Sequence, residues 1–122
     1  MNHSKTVYLI DYENVQENGL AGGDKLTDND TVCIFTGQNT SVKFSTLAQL
    51  NRADLHCFHV KTCKQSVDMC ISTYLGHLIT KNKDIDTNYV IVSKDNDYKG
   101  IIPFWKEQSV STNITQRASI SE

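Results

Sequence analysis

The sequence predicts a three-layer α/β/α sandwich around a central, mostly parallel sheet of four to five strands. Three observations carry that expectation. Short apolar runs alternate with segments of helical periodicity, the order of a parallel sheet covered by helices. The strand-like runs are continuously apolar, as expected where both faces of a strand are covered. The connections are short, and right-handed crossovers then gather the C-terminal ends of the strands on one edge.

The first strand is expected over Val7 to Ile10, with a short helix from Glu13 stopping at Gly19. Gly22 to Lys25 reads as a loop, and Thr31 to Phe35 as a second strand ending at Thr36-Gly37-Gln38-Asn39. Thr40 or Ser41 can cap a helix whose apolar residues are Phe44, Leu47 and Ala48, with Leu50 at its end. Leu55 to Val60 predicts a third strand centred on Cys57 and Phe58. Ser66 is the expected N-cap of the longest helix, in which Val67, Ile71, Tyr74, Leu75 and Leu78 recur at helical spacing. Tyr89 to Val92 is the fourth strand. Pro103 fits the first turn of a helix that starts near Ile101 or Ile102. Residues Val110 to Ile114 suit a fifth strand at the edge.

A chain of 122 residues is expected to form one domain, residues 1–122, with one core. One Pro and six Gly exclude a low-complexity or collagen-like chain. No apolar run approaches the roughly 20 residues that cross a bilayer. The N-terminal residues Met1 to Lys5 lead into a strand without a secretory core, so a cytoplasmic protein is expected. The four cysteines form no Cys-x-x-Cys pair, and Cys33 and Cys57 lie within strand-like runs, where a thiol acts as a small hydrophobe. His56, Cys57, His59, Cys63 and Cys70 raise a zinc reading, but their spacing fits no common finger or ribbon. The net charge of −2, from 12 basic and 14 acidic residues, excludes a bulk polyanion binder. Any contact with nucleic acid must then come from a local patch, for which Lys61, Lys64, Lys94 and Lys99 are the candidates.

The chemistry is concentrated in three segments that end in acids. Asp11 closes the first strand, Asp68 falls in the first turn of the long helix, and Asp95 and Asp97 follow the fourth strand in Ser93-Lys94-Asp95-Asn96-Asp97. A parallel sheet brings all of them to the edge where ligands of such sheets bind. Carboxylates that crowd one volume repel, so protons or a cation must join them. A divalent ion held by carboxylates is suited to phosphate chemistry. Asn14 is placed to orient a water or a phosphate, and Ser93 to hold an acid in position by a hydrogen bond. No Walker, dinucleotide-binding or Gly-x-Ser-x-Gly pattern is present.

Together these segments resemble the PIN-like superfamily of nucleases, most closely its NYN branch. Leu9-Ile10-Asp11-Tyr12-Glu13-Asn14-Val15 looks like that family's strand ending in Asp, with Asn three residues on. Lys64-Gln65-Ser66-Val67-Asp68 is similar to its Lys and Asp at the start of a middle helix. Val92-Ser93-Lys94-Asp95-Asn96-Asp97-Tyr98 resembles its Ser-x-Asp-x-Asp-aromatic motif, with Tyr98 where Phe is usual. The resemblance spans about residues 6 to 114. Lys94 replaces a common Gly, and Ser109 stands where a Gly often precedes the last strand.

The resemblance implies a ribonuclease dependent on Mg2+ or Mn2+, whose carboxylates hold an ion that activates water. Asp11, Asp68 and Asp95 are the expected metal ligands, Asp97 is a further ligand or a water-positioning acid, and Asn14 and Ser93 are supports. Single-stranded or looped RNA is the expected substrate, contacted by Lys64, Lys94 and Lys99 and stacked on Tyr12 and Tyr98. Dimerisation is common among relatives, so a homodimer is one expected arrangement, and an antitoxin or a defence complex as partner is left open. Two other readings compete: a phosphotransfer module of receiver or phosphatase type, and a non-catalytic RNA- or protein-binding module.

Overall fold

In the computed structural model, which describes residues 5–38, 40–61, 65–83, 86–108 and 113–121, five parallel strands form one sheet in the order β3-β2-β1-β4-β5. They are β1 (Lys5–Asp11), β2 (Asp30–Thr36), β3 (Asp54–His59), β4 (Thr87–Val92) and β5 (Asn113–Arg117). The three continuously apolar runs supply the inner strands, and Leu9, Ile10, Val32, Ile34, Ile91 and Val92 are buried. Strand order reverses at β1, which has β2 on one side and β4 on the other. The switch point is therefore the gap between the C-terminal ends of β1 and β4.

Alternate residues of the inner strands feed two cores. One face carries Val7, Leu9, Cys33, Phe35, Tyr89 and Ile91 and is covered by α3 (Gln65–Lys81) and α4 (Ile101–Glu107). Val67, Ile71, Leu75 and Leu78 of α3 pack there, as their spacing predicts. The other face, with Tyr8, Ile10, Val32, Ile34, Val90 and Val92, is covered by α1 (Tyr12–Val15), the 3-10 turns that follow it, and Leu47 of α2 (Phe44–Ala48). The layered architecture and the parallel sheet are those expected.

Several local expectations differ from the fold. The helix foreseen from Glu13 to Gly19 is one α-helical turn, α1, continued as a 3-10 turn over Gln16–Leu20. The Gly22 to Lys25 loop contains a further 3-10 turn, Gly23–Lys25. Neither Thr40 nor Ser41 caps α2: Lys43 occupies the N-cap position, and the Thr40 hydroxyl accepts from the Gly37 N–H at 2.8 Å. Phe44 is 88% exposed rather than in the core, because so short a helix turns only Leu47 and the following Leu50 inward. α3 starts at Gln65, so Ser66 lies inside its first turn instead of capping it. β3 is an edge strand, and Cys57 is exposed instead of buried in a run. The fifth strand, Asn113–Arg117, continues three residues beyond its expected end at Ile114. Pro103 does fall in the first turn of α4. Cys63, Lys64, Ser109 and Val110 lie outside the described residues. No helix of the described residues is long and apolar enough to cross a membrane.

Candidate metal centre

The switch point is where the acids meet. Asp68, Asp95 and Asp97 each bring a carboxylate oxygen within 4.8 Å of the other two. Asp68 arrives in the first turn of α3, where the helix dipole favours negative charge. Asp95 and Asp97 flank a tight turn in which the Asp97 N–H donates to Asp95 Oδ1 at 2.9 Å, starting the 3-10 turn Asn96–Gly100. That turn aims two acids spaced by one residue at one point, as their sequence spacing suggests.

Asp11 sits behind this group, on the floor of the cleft. It is 6% exposed and lines a cavity of about 360 Å3 with Glu13, Asn14, Val67, Asp68 and Asp95. Its Oδ2 accepts from the Ser93 hydroxyl at 2.9 Å and from the Tyr98 hydroxyl at 3.3 Å. Asp11 thus borders the three clustered acids without belonging to their close group. Burial pushes its carboxyl above the ordinary value, the two hydroxyls pull it down, and the charges of Asp68 and Asp95 push it up again. Burial holds the Tyr98 phenol far above its ordinary range, and the charge of Asp11 adds to the effect, so Tyr98 donates.

A second set of bonds ties the loops around the acids. Ser93 passes its hydroxyl proton toward Asp11 while accepting from the Asp95 N–H at 3.0 Å. Its hydroxyl therefore links both acids at once. Asn14 lines the cleft, and its side-chain oxygen accepts from the Lys94 N–H at 2.8 Å, locking the loop after β4 to α1. Gln116 of β5 carried no signal in the sequence, yet its Nε2 donates to the carbonyls of Ser93 at 2.9 Å and Asp95 at 2.7 Å. Glu13 also faces the cleft, and Gly37 makes room for it: a Cβ there would come within 2.4 Å of the Glu13 carboxylate.

Tyr12 and Tyr98 cannot offer stacking faces. They are 2% and 0% exposed, with Tyr98 in the core between α3 and the sheet and Tyr12 in the opposite core. Lys61, Lys94 and Lys99 are exposed. Lys64 is outside the described residues. The zinc reading finds no support, since Asp68, Asp95 and Asp97 are the one group of three potential ligands among the described residues. Cys33 is buried, and its thiol is pushed up to about 12 by that burial.

The donor set fits a hard divalent cation. Its clustered donors are all carboxylate oxygens, the chemistry that Mg2+ and Mn2+ prefer. Among the described residues the one ion pair is His56 with Asp54, so no lysine or arginine there neutralises the cleft acids. In the comparisons with known proteins, the family model described as PIN domain matches residues 5–115. No curated protein and no solved structure matches the chain.

Proposed function

We propose that this chain, which belongs to the PIN domain family, is a metal-dependent ribonuclease of the NYN type that hydrolyses RNA phosphodiester bonds. PIN domains are usually metal-dependent nucleases and commonly act on RNA. The observation that carries the reading is the meeting of Asp68, Asp95 and Asp97 within 4.8 Å of one another, without a basic partner among the described residues. Carboxylates so close repel one another, and a cation that shares them relieves the repulsion. The NYN assignment rests on the sequence around Asp11, Asp68 and Asp95.

Asp68, Asp95 and Asp97 would hold Mg2+ or Mn2+ from the rim, and Asp11 from the floor through Oδ1, the oxygen that Ser93 and Tyr98 leave free. A divalent ion held there supplies Lewis acidity toward a phosphate oxygen and lowers the pKa of a bound water. The protein's part is positioning. Ser93 keeps Asp11 and Asp95 at fixed separation, and Tyr98 holds the Asp11 carboxylate from below. Gln116 and Asn14 restrain the loop that carries Asp95, so the acids do not spread apart when no ion is bound. Lys94 and Lys99, exposed beside this loop, would meet the phosphates on either side of the cut.

A phosphotransfer module would need an accessible aspartate as nucleophile. Asp11 is buried and doubly hydrogen-bonded, which disfavours that chemistry. The test is cleavage of mixed single-stranded and hairpin RNA with Mg2+, with Mn2+ and with chelator. Cleavage that chelator stops and that Asp68→Asn and Asp95→Asn abolish is the expected result. Equal cleavage by all three proteins would overturn the reading, and so would cleavage indifferent to chelator.

A further inference from the structure

We propose that the apolar groove between β3 and α3 is a nucleobase-binding site, which holds a base of the RNA strand next to the bond cut in the acidic cleft. The proposal rests on the nuclease reading of that cleft and adds to it the feature that grips the substrate.

The groove encloses a cavity of about 630 Å3. Phe35, Phe58, Val60, Met69, Tyr74 and His77 form most of its wall. The rings make a continuous series. Phe35 stacks on Phe58 with centroids 5.0 Å apart, Phe58 meets Tyr74 at 5.0 Å, and Tyr74 meets His77 at 5.8 Å. The groove exists because β3 is an edge strand and α3 covers only the middle of the sheet, leaving Phe58 and Tyr74 half-buried. An open wall of aromatic faces is the sequence-tolerant way to hold a base.

Position favours a base over a protein segment. Asp11 lies opposite Phe35 in the β1–β2 ladder, and Phe35 opposite Phe58 in the β2–β3 ladder. The three residues thus form one row along the C-terminal edge of the sheet. Adjacent strands are about 4.8 Å apart, so Phe58 stands about 10 Å from Asp11. Along α3, Tyr74 is six residues beyond Asp68, about 9 Å at helical rise. Both paths are short enough for a neighbouring nucleotide. Met69 and Thr73 line this groove and also the smaller cleft that contains Asp68 and Asp97, so the two adjoin at these residues of α3.

Charge points the same way. None of the residues lining the groove is acidic, although the chain carries more acids than bases. Lys61, exposed just after Val60, stands at the end of β3. A polyanion meets no carboxylate in the lining itself, and the nearest acid felt by Tyr74 is Asp54, at the far end of β3. This groove also supplies the stacking surface that the buried Tyr12 and Tyr98 do not.

The test compares the parent with Tyr74→Leu, which removes a ring but keeps an apolar side chain, and with His77→Ala, an exposed position of α3. Two measurements are made on a single-stranded oligoribonucleotide: steady-state cleavage with Mg2+, and anisotropy of a labelled strand bound to the Asp95→Asn background. Tyr74→Leu is expected to raise KM and Kd about tenfold while kcat stays within twofold. A strand in which an abasic sugar replaces the base beside the cut should erase the difference between parent and variant. If Tyr74→Leu fails to fold by circular dichroism, His77→Ala carries the test, with an expected weakening of a fewfold.

Unchanged affinity in the folded variants, with normal cleavage, overturns the groove and leaves the nuclease reading standing. Loss of affinity without cleavage by any protein supports the groove and overturns the nuclease. A parent that sediments as a dimer and becomes monomeric in Tyr74→Leu would make the groove a surface between copies and overturn the proposal.

Discussion

The rim and the floor of the acidic cleft are made of the same residue type under opposite conditions. On the rim, Asp68 and Asp95 are half-buried and Asp97 is exposed, and no ion pair engages them among the described residues. On the floor, Asp11 is buried and held by two hydroxyls from residues that are themselves buried. The rim acids face water and one another, so their charge is available to a cation and adds little to the fold. The floor acid is part of the packing between β1, β4 and the turn after it. The rim acids thus serve a cation alone, while the floor acid offers one oxygen to it and gives the other to the packing.

The sharpest way to separate the two is to remove charge without changing shape. On the rim, Asp68→Asn and Asp95→Asn should lower cleavage on the order of a hundredfold or more, while urea midpoints stay near the parent's. In the same proteins, saturating Mg2+ or Mn2+ should raise the parent's melting temperature and fail to raise the variants', since only a protein that binds the ion gains from it. A variant that still cleaves at the parent's rate would remove that acid from the metal centre.

On the floor, the change that matters is loss of an acceptor. Asp11→Ala leaves the Ser93 and Tyr98 hydroxyls buried without their carboxylate, which should cost about 2 kcal/mol in metal-free buffer. Asp11→Asn keeps an oxygen for those hydroxyls and removes the buried charge, so its stability should match or exceed the parent's. Chemical denaturation of the three proteins checks the order. If the alanine variant is as stable as the parent, Asp11 does not anchor the floor.

The rim was more legible in the sequence than the floor, for a physical reason. Acids at strand ends and helix starts leave a local mark, and a parallel sheet with short crossovers must bring them together. Asp11, Asp68, Asp95 and Asp97 could be found that way. What surrounds them depends on which strand lies beside which, and strand order has no local signature. Tyr98 reads as a surface aromatic after an acidic turn, but it lies in the core between α3 and the sheet. Gln116 is one polar residue in an edge strand, and only the β4–β5 pairing brings it to the Ser93 and Asp95 carbonyls. The same ignorance of strand order made Cys57 look buried. Phe44 and Ser66 failed through element boundaries, which shift by a residue or two without any change in pattern.

A smaller effect isolates one bond of the floor. Tyr98→Phe keeps the ring in the core and deletes its hydrogen bond to Asp11 Oδ2, so it should cost about 1 kcal/mol. The pH dependence is more informative than the size. Burial raises the Asp11 carboxyl above its ordinary value near 3.8, so in metal-free buffer the folded protein takes up that proton more readily than the unfolded chain. The stability this provides is complete below the ordinary value and is lost as pH rises through the higher folded value. Parent stability minus that of Asp11→Asn should therefore fall as pH is raised through this window, because the asparagine cannot titrate. Tyr98 opposes the rise by favouring the charged carboxylate. Deleting its hydroxyl should move the fall to higher pH, which urea titrations at a series of pH values would resolve. A difference that stays flat from pH 4 upward would mean that Asp11 ionises as it does in water, and the floor would then be as wet as the rim.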